Sequence, residues 1–152
     1  MSADKAFIDT NVFIYIQRTD EPSKTSISEK TIECFDCAAS TQVLNEVCNI
    51  LTRKYPSSKE KVKRVLCSIQ DSCIMVTIGN DYPVRALDYH FKYSLSYYDA
   101  LMVVAALEAG CKYLISEDMQ DGLVIDKKLR IVNIYKHIDL LSEINRINAP
   151  KH

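Results

Sequence analysis

Short apolar strand candidates alternate with longer helical segments along most of the chain, and this alternation restricts the fold more than any other feature. The strand candidates fall at residues 6–8, 37–39, 74–78, 113–115 and 129–134. Strands that are joined through helices form right-handed β-α-β crossovers and therefore a parallel sheet covered on both faces. The sequence predicts a three-layer α/β/α sandwich with a central parallel sheet, folded as a single domain over residues 1–152.

The helical segments are marked by apolar periodicity and by capping residues. Residues 27–35 are predicted to form one of these helices. From residue 41 to about residue 54, apolar side chains recur at helical spacing and predict an amphipathic helix. Ser96 is suited to cap a later helix, which is expected to stop at Gly110. The body of that helix, residues 100–107, is apolar on every side, so it is predicted to be buried.

Composition narrows the class of protein. Of the 152 residues, 47% are hydrophobic and 26% are charged, which is typical of a folded globular domain. The longest apolar run, residues 100–107, is far shorter than the ~20 residues of a membrane-spanning helix. Residues 1–5 lead into an apolar stretch that Asp9 interrupts, which does not fit a signal peptide. We therefore expect a cytoplasmic protein with no membrane association.

Charge is nearly balanced overall but uneven along the chain. The net charge of −1 gives no global basic field for nucleic acid. Between Arg53 and Arg64, however, six basic residues stand against the single acid Glu60. This segment is either a solvated helix face or a surface that attracts phosphate groups.

Six cysteines are spread through apolar or helical stretches and are expected to be reduced core residues. Cys34 and Cys37 form a single C-x-x-C motif, and no second pair of cysteines or histidines lies at zinc-finger spacing. A structural role is favoured over a metal site. A redox pair is the weaker alternative, since spacing alone says nothing about the thiol pKa.

Four acidic side chains recur where a strand ends, where a helix begins, or on the core-facing flank of a helix. Asp9 and Asp118 follow strand candidates, Asp99 begins the buried helix, and Glu46 flanks the apolar stripe of the helix at 41–54. Each of these acids can also be interpreted as having a purely structural role. Asp9 and Asp99 can cap helices, and Glu46 can pair with a base such as Arg53.

Taken together, these acids indicate a metal site. Parallel strands bring residues that follow them to one edge of the sheet, where ligands bind in such folds. Clustered carboxylates repel one another unless a cation neutralises them, and oxygen ligands without His or Cys suit Mg²⁺ or Mn²⁺. The pattern therefore predicts metal-dependent phosphoryl transfer, and the sequence contains no competing nucleotide-binding or hydrolase motif.

Four segments carry motifs that can be compared with known families. They are Phe-Ile-Asp-Thr-Asn-Val-Phe-Ile-Tyr at 7–15, Ser-Thr-Gln-Val-Leu-Asn-Glu-Val at 40–47, Tyr-Tyr-Asp-Ala at 97–100 and Leu-Ile-Ser-Glu-Asp at 114–118. In this order and spacing they resemble the successive signatures of PIN-domain ribonucleases. The resemblance covers nearly the whole chain and is greatest to the toxins of VapBC-type toxin–antitoxin pairs.

The resemblance implies a metal-dependent endoribonuclease that hydrolyses RNA phosphodiester bonds. Its catalytic acids would be Asp9, Glu46, Asp99, Asp118 and Asp121. Three of these would hold Mg²⁺ or Mn²⁺, namely Asp9, Asp99 and Asp118. Substrate contacts are expected from two positions beside the acids and two in the basic segment: Asn11, Ser116, Arg53 and Lys54.

The resemblance also implies partners, namely RNA, a cognate antitoxin protein and a second copy of the chain in a homodimer. Side chains such as Tyr15, Ile16, Tyr89, Phe91 and Tyr93 exceed what one core needs, so some are expected to be exposed. The alternative is an RNA-binding or partner-docking module without catalysis. Such a module would be expected to lack some of the four acids, and all four are present.

Two other enzyme classes that place an acid after a strand fit less well. A haloacid-dehalogenase-like phosphatase needs D-x-D, whereas this chain has Asp9-Thr10-Asn11. A receiver-type phospho-acceptor domain needs a paired acid and a lysine at a strand end, and neither arrangement is found.

Overall fold

The computed structural model describes residues 3–55 and 57–148, and within them a single sheet forms the centre of the molecule. Its strands are β1 (Lys5–Ile8), β2 (Asp36–Ser40), β3 (Ile74–Val76), β4 (Tyr113–Ile115), β5 (Val124–Ile125) and β6 (Leu129–Val132). The strand order across the sheet is β3-β2-β1-β4-β6-β5. The described pairings are parallel except that of β5 with β6, which is antiparallel.

Helices cover the two faces of this sheet. They are α1 (Thr10–Ile16), α2 (Pro22–Cys34), α3 (Thr41–Arg53), α4 (Lys59–Ser72), α5 (Tyr82–Tyr93), α6 (Tyr97–Glu108) and α7 (Ile138–Asn148), with a 3-10 turn at Ile134–Lys136. None of these described helices is both long and apolar enough to cross a bilayer. The predicted three-layer α/β/α architecture is confirmed, and its central sheet is parallel as predicted except at the β5–β6 pair.

The direction of the crossovers places a crevice at the middle of the sheet. From β1 the chain moves outward to β2 and then β3, and it returns through α5 and α6 to β4 on the other side of β1. Because right-handed crossovers in opposite directions put their helices on opposite faces, a gap opens above the carboxyl ends of β1 and β4. This is the place where a functional site is expected in such a fold.

Helix α6 is the buried helix that the sequence predicts. Its residues 100–106 are all buried, and it packs against α5 and against strands β2 and β4. Ser96 caps it, since the Ser96 hydroxyl accepts a hydrogen bond of 3.1 Å from the Asp99 N–H. Gly110 follows its end with a φ of +70°, a left-handed conformation that glycine adopts without strain. This packing fixes the position from which Asp99 projects.

Strand β5 was not predicted, because two residues are too few to show a periodic pattern. It forms a hairpin with β6 through a turn in which Asp126 and Lys127 have φ values of +50° and +57°. The hydroxyl of Tyr89 donates to the Asp126 carboxylate at 2.7 Å, and the Asp126 N–H donates to Tyr93 Oη at 2.9 Å. The hairpin is thereby tied to α5.

Several element boundaries differ from the sequence-based ones. Helix α2 begins at Pro22, five residues before the predicted start at Ile27, because Pro22 occupies the first helical turn and the helix has little amphipathic character. The predicted strand at 129–134 ends at Val132, since the Asn133 side chain accepts from the Tyr135 N–H and begins the 3-10 turn.

Candidate active site

The first and fourth acidic segments meet at the crevice between β1 and β4. Ile8 pairs in register with Ile115, so the next residues, Asp9 and Ser116, are neighbours at the carboxyl ends of the two strands. The Ser116 hydroxyl donates to Asp9 Oδ2 at 2.7 Å. The Asp9 N–H donates to the Ile115 carbonyl at 3.0 Å. The sheet therefore holds these two segments together.

Asp9 is a buried carboxyl group with only 7% of its surface exposed. It also caps α1, since its Oδ1 accepts from the Thr10 N–H at 2.7 Å. Burial raises the pKa of Asp9 to about 6; the hydrogen bonds from Ser116 and Thr10 oppose this rise, and the charges of Glu46 and Asp99 add to it. The capping and functional interpretations of Asp9 are thus compatible.

Glu46 comes from the second segment, one helical turn into α3. The Thr10 hydroxyl donates to Glu46 Oε2 at 2.5 Å, and Gln42 Nε2 donates to Glu46 Oε1 at 3.2 Å. Among the described residues, the Glu46 carboxylate accepts from these two side chains and forms no ion pair with Arg53. The alternative interpretation of Glu46 as a partner of Arg53 is therefore not observed.

Asp99 adds the third segment, from the first turn of α6. It is half-buried, and burial raises its pKa; the hydrogen bond with Ser96 lowers it, and the charge of Asp118 raises it. Asp99 thus interacts electrostatically with Asp118, and it contributes to the raised pKa of Asp9. Four acids from separate segments influence one another at the same edge of the sheet.

Asp118 is the exposed member of this group, in the loop that follows β4. Asn11 Nδ2 donates to Asp118 Oδ2 at 2.6 Å. Asn11, which was expected to contact substrate, therefore orients an acid in this structure. Its hydrogen bond links the first turn of α1 to the β4 loop.

Asp121 forms its hydrogen bonds with residues other than these four acids. Its Oδ1 accepts from the Asn133 N–H at 2.9 Å, and its Oδ2 lies 2.7 Å from His137 Nε2. The hydrogen bonds with Asn133 and His137 hold the pKa of Asp121 below its usual value. These contacts tie Asp121 to the segment that leads into α7.

Arg53 and Lys54 lie at the far end of α3 and are exposed. At 1.5 Å of rise per residue, Arg53 is about 10 Å along the helix axis from Glu46. The structure does not bring these two bases into contact with the acidic group.

Gln42 is a site residue that the sequence reasoning missed. It is nine-tenths buried, and its Nε2 donates to the Tyr98 carbonyl at 3.1 Å as well as to Glu46. It thereby joins the second acidic segment to the residue before Asp99. Its Oε1 is a buried acceptor without a partner among the described residues. A polar residue next to Val43, four positions before Glu46, is the signal that could have revealed it.

The β4 loop is also held from its other side, through Glu117. The Glu117 carboxylate accepts from the Tyr15 hydroxyl and from Lys24 Nζ, each at 2.5 Å. Burial opposes ionisation of Glu117, but the hydrogen bonds from Lys24 and Tyr15 lower its pKa overall. Since Glu117 stands between Ser116 and Asp118, this network fixes the loop that carries both.

The chemistry of this donor set fits a divalent cation. All candidate ligands are carboxylate oxygens. The pKa of Asp9 is raised mainly by burial and further by the charges of Glu46 and Asp99, and a bound cation would favour the ionised form against both. In the described ranges, no three His, Cys, Asp or Glu side chains are already arranged to hold an ion by themselves. The arrangement suits an ion such as Mg²⁺, which is bound by one or two carboxylates and keeps several waters.

Comparison with known proteins identifies related sequences and folds. A family model described as PIN domain matches residues 6–120. No curated protein matches the chain significantly in sequence. Among solved structures, a toxin–antitoxin complex from Klebsiella pneumoniae is similar, with a TM-score of 0.62 and 20% identity over 84% of this chain and 96% of that one.

Two further solved structures share the fold at low sequence identity. One is a toxin of Mycobacterium tuberculosis that cleaves the sarcin–ricin loop, with a TM-score of 0.60 and 14% identity over 74% of this chain and 91% of that one. The other is a protein of Pyrobaculum aerophilum, with a TM-score of 0.60 and 15% identity over 94% of this chain and 90% of that one.

Proposed function

The chain belongs to the PIN domain family, and from this premise we propose that it is a metal-dependent endoribonuclease that serves as the toxin of a toxin–antitoxin pair. The observation that carries the proposal is the meeting of Asp9, Glu46, Asp99 and Asp118 at the central crevice, where their charges and hydrogen bonds connect four separate segments. The toxins among the similar structures support the biological role.

We propose Asp9, Asp99 and Asp118 as the residues that hold Mg²⁺ or Mn²⁺. Such an ion neutralises phosphate charge and lowers the pKa of a bound water. Each of the three carboxylates is already positioned by another group. Ser116 holds Asp9, Ser96 holds the backbone of Asp99, and Asn11 holds Asp118; these hydrogen bonds orient the acids before substrate arrives.

Glu46 is proposed to accept the proton of the attacking water. Thr10 and Gln42 each donate to one of its oxygens, and these hydrogen bonds direct the carboxylate toward the Asp9 side of the crevice. Water attack at phosphorus, rather than attack by the ribose 2′-hydroxyl, leaves 5′-phosphate and 3′-hydroxyl ends. The catalytic role predicted for Asp121 stays a prediction, and its carboxylate is engaged by Asn133 and His137.

RNA is the proposed substrate, and it would enter along the exposed side of the crevice at Asp118. Asn11 and Ser116 act there through the acids they hold, while Arg53 and Lys54 are proposed to bind phosphates farther along the strand. Fully extended single strands reach many ångströms beyond the scissile bond, so a contact about 10 Å from Glu46 is within range.

An antitoxin protein, a second copy of the chain and a cytoplasmic location complete the proposal. Of the five apolar side chains expected to exceed the needs of the core, Phe91 is the exposed one, at 77%. Val84, on the same helix, is 70% exposed. Exposed apolar side chains of this kind are typical of protein–protein contacts.

The decisive experiment incubates the purified protein, freed of partners, with total RNA in Mn²⁺ or in excess EDTA. We expect cleavage in Mn²⁺ only, with 5′-phosphate ends, and no cleavage by Asp9→Asn. Asp71→Asn, at an exposed position of α4, is the matched control and should cleave normally. Cleavage in EDTA or by Asp9→Asn would contradict the metal site. RNA binding without cleavage under every condition would favour the non-catalytic module.

A further inference from the structure

Two cysteines lie opposite each other on neighbouring strands. They are at the amino ends of β2 and β3, whereas the acidic site is at the carboxyl ends of the strands. Ala38 of β2 pairs in register with Ile74 of β3, so the preceding residues, Cys37 and Cys73, lie directly opposite. Neighbouring strands are about 4.8 Å apart, and disulfides span Cα separations of about 4.4–6.8 Å. The backbone therefore places this pair within bonding range without rearrangement.

The two sulfur atoms interact. The Cys37 thiol hydrogen-bonds with Cys73, which lowers the pKa of Cys73 despite its partial burial and raises that of Cys37. Cys37 Sγ also lies 3.5 Å from the Phe35 carbonyl and 3.6 Å from that of Ile32, so its single proton is shared among these acceptors.

The two residues also differ in exposure. Cys37 is 2% exposed, whereas Cys73, between the end of α4 and the start of β3, is partly exposed. An oxidant in solution therefore meets Cys73 first. The local C-x-x-C motif placed Cys34 beside Cys37 in sequence, but the sheet register puts Cys73 opposite Cys37 on the next strand.

We propose that Cys37 and Cys73 form an oxidisable dithiol, which a hydroperoxide converts to a disulfide. The Cys73 thiolate attacks a peroxide oxygen; the O–O bond breaks, and Cys73 becomes a sulfenic acid with release of one water from hydrogen peroxide. Cys37 sulfur then attacks Cys73 sulfur, and the sulfenic oxygen leaves as a second water with the Cys37 proton. Two thiols lose two electrons, and the peroxide gains them.

The test treats the folded protein with hydrogen peroxide, alkylates remaining thiols and maps the peptides without reduction. We expect a peptide pair joined through Cys37 and Cys73, about 2 Da lighter than the two thiol peptides together, which a reductant separates. The pair should persist in Cys34→Ser and in Cys67→Ser, which removes the exposed cysteine of α4. It should be absent from Cys37→Ser, in which a sulfenic-acid probe should label Cys73.

Other outcomes would overturn the proposal. They are a disulfide from Cys37 to Cys34 or to the buried Cys111, no disulfide at a peroxide dose that oxidises Cys67, or an unlabelled Cys73 in Cys37→Ser. The peptide map of the unmodified sequence needs no variant, so a variant that fails to fold leaves the test intact. This site lies at the sheet edge away from Asp9, so its outcome does not depend on nuclease activity.

Discussion

The raised pKa of Asp9 links folding stability to the chemistry of the site. Its value of about 6 in the folded protein lies above the ordinary 3.8. The folded state therefore prefers the protonated form. Stability associated with that proton is fully present below pH ~4 and is lost as the pH rises through 6. At neutral pH the ionised Asp9 opposes folding, and a bound cation would remove that opposition.

Asp9→Asn is accordingly expected to be more stable than the unmodified protein at pH 8, by about 1–3 kcal/mol, and no more stable at pH 4. Urea denaturation at several pH values measures this difference. A stability gain that does not change with pH, or a loss at pH 8, would contradict the assignment of Asp9 as a buried and repelled carboxylate.

Gln42 offers a second test at the scale of a single side chain. Gln42→Leu removes the hydrogen bonds to Glu46 and to the Tyr98 carbonyl, and it also removes the buried acceptor Oε1, whose lack of a partner costs about 1–3 kcal/mol. We expect RNA cleavage to fall about tenfold, while the unfolding free energy changes little because the lost hydrogen bonds and the removed acceptor offset each other.

The control for Gln42 is Asn45→Ala, at an exposed position of the same helix, which should cleave normally. Parallel losses of cleavage and stability in Gln42→Leu would mean that Gln42 only supports packing.

At the scale of the residue, the sequence placed three of the four acids at the ends of elements, but it did not indicate the side chains that hold them. Asp9 and Asp118 follow strands, and Asp99 follows a capping serine, so local sequence was sufficient. Gln42 and Lys24 act on residues that are distant in the chain: Lys24 contacts Glu117, 93 positions away. No periodicity or motif within one segment records such a contact, and only the sheet topology creates it.

At the scale of elements, the capping of α6 can be separated from its functional role. The hydroxyl of Ser96 accepts from the Asp99 N–H at 3.1 Å, and that of Ser58 accepts from the Lys61 N–H at 3.2 Å at the start of α4. Ser96→Ala and Ser58→Ala should each lower the unfolding free energy by about 1 kcal/mol.

These two caps differ in what their helices carry. We expect only Ser96→Ala to reduce cleavage, because only α6 begins with an acid of the site and because the Ser96 hydrogen bond lowers the pKa of Asp99. Denaturation and RNA cleavage of both variants provide the comparison. Equal cleavage by the two variants would show that the first turn of α6 does not set activity.

Elements with strong periodicity or clear caps were predicted closely. Helix α3 begins directly after its capping residue Ser40, and α6 begins directly after Ser96. Strand β4 has the predicted bounds. Helix α2 was predicted five residues short because few apolar side chains mark its first turns. Strand β5 was not predicted, because its pairing depends on β6 and on the anchored turn at Asp126 and not on its own two residues.

At the scale of the whole molecule, the predicted RNA path separates the acidic crevice from the basic end of α3. Arg53→Gln with Lys54→Gln should weaken RNA binding and reduce the slope of log affinity against log salt by up to ~1.4, at ~0.7 per phosphate contact. Binding is measured in the Asp9→Asn background so that RNA stays intact.

Lys127→Gln with Lys128→Gln, on the exposed turn between β5 and β6, is the matched control for net charge. It should leave the salt slope unchanged. If log affinity depends equally on log salt in the two double variants, Arg53 and Lys54 do not bind RNA specifically, and net charge alone explains the effect.

The outermost strands of the sheet, β3 and β5, have three and two residues. An incoming peptide strand therefore meets few unpaired backbone N–H and C=O groups, and on the β5 side the anchored hairpin turn interrupts even these. The fold is a poor template for edge-to-edge growth into fibrils. Any protein that binds it therefore gains little by extending the sheet, and recognition is left to the exposed side chains of the helices and loops.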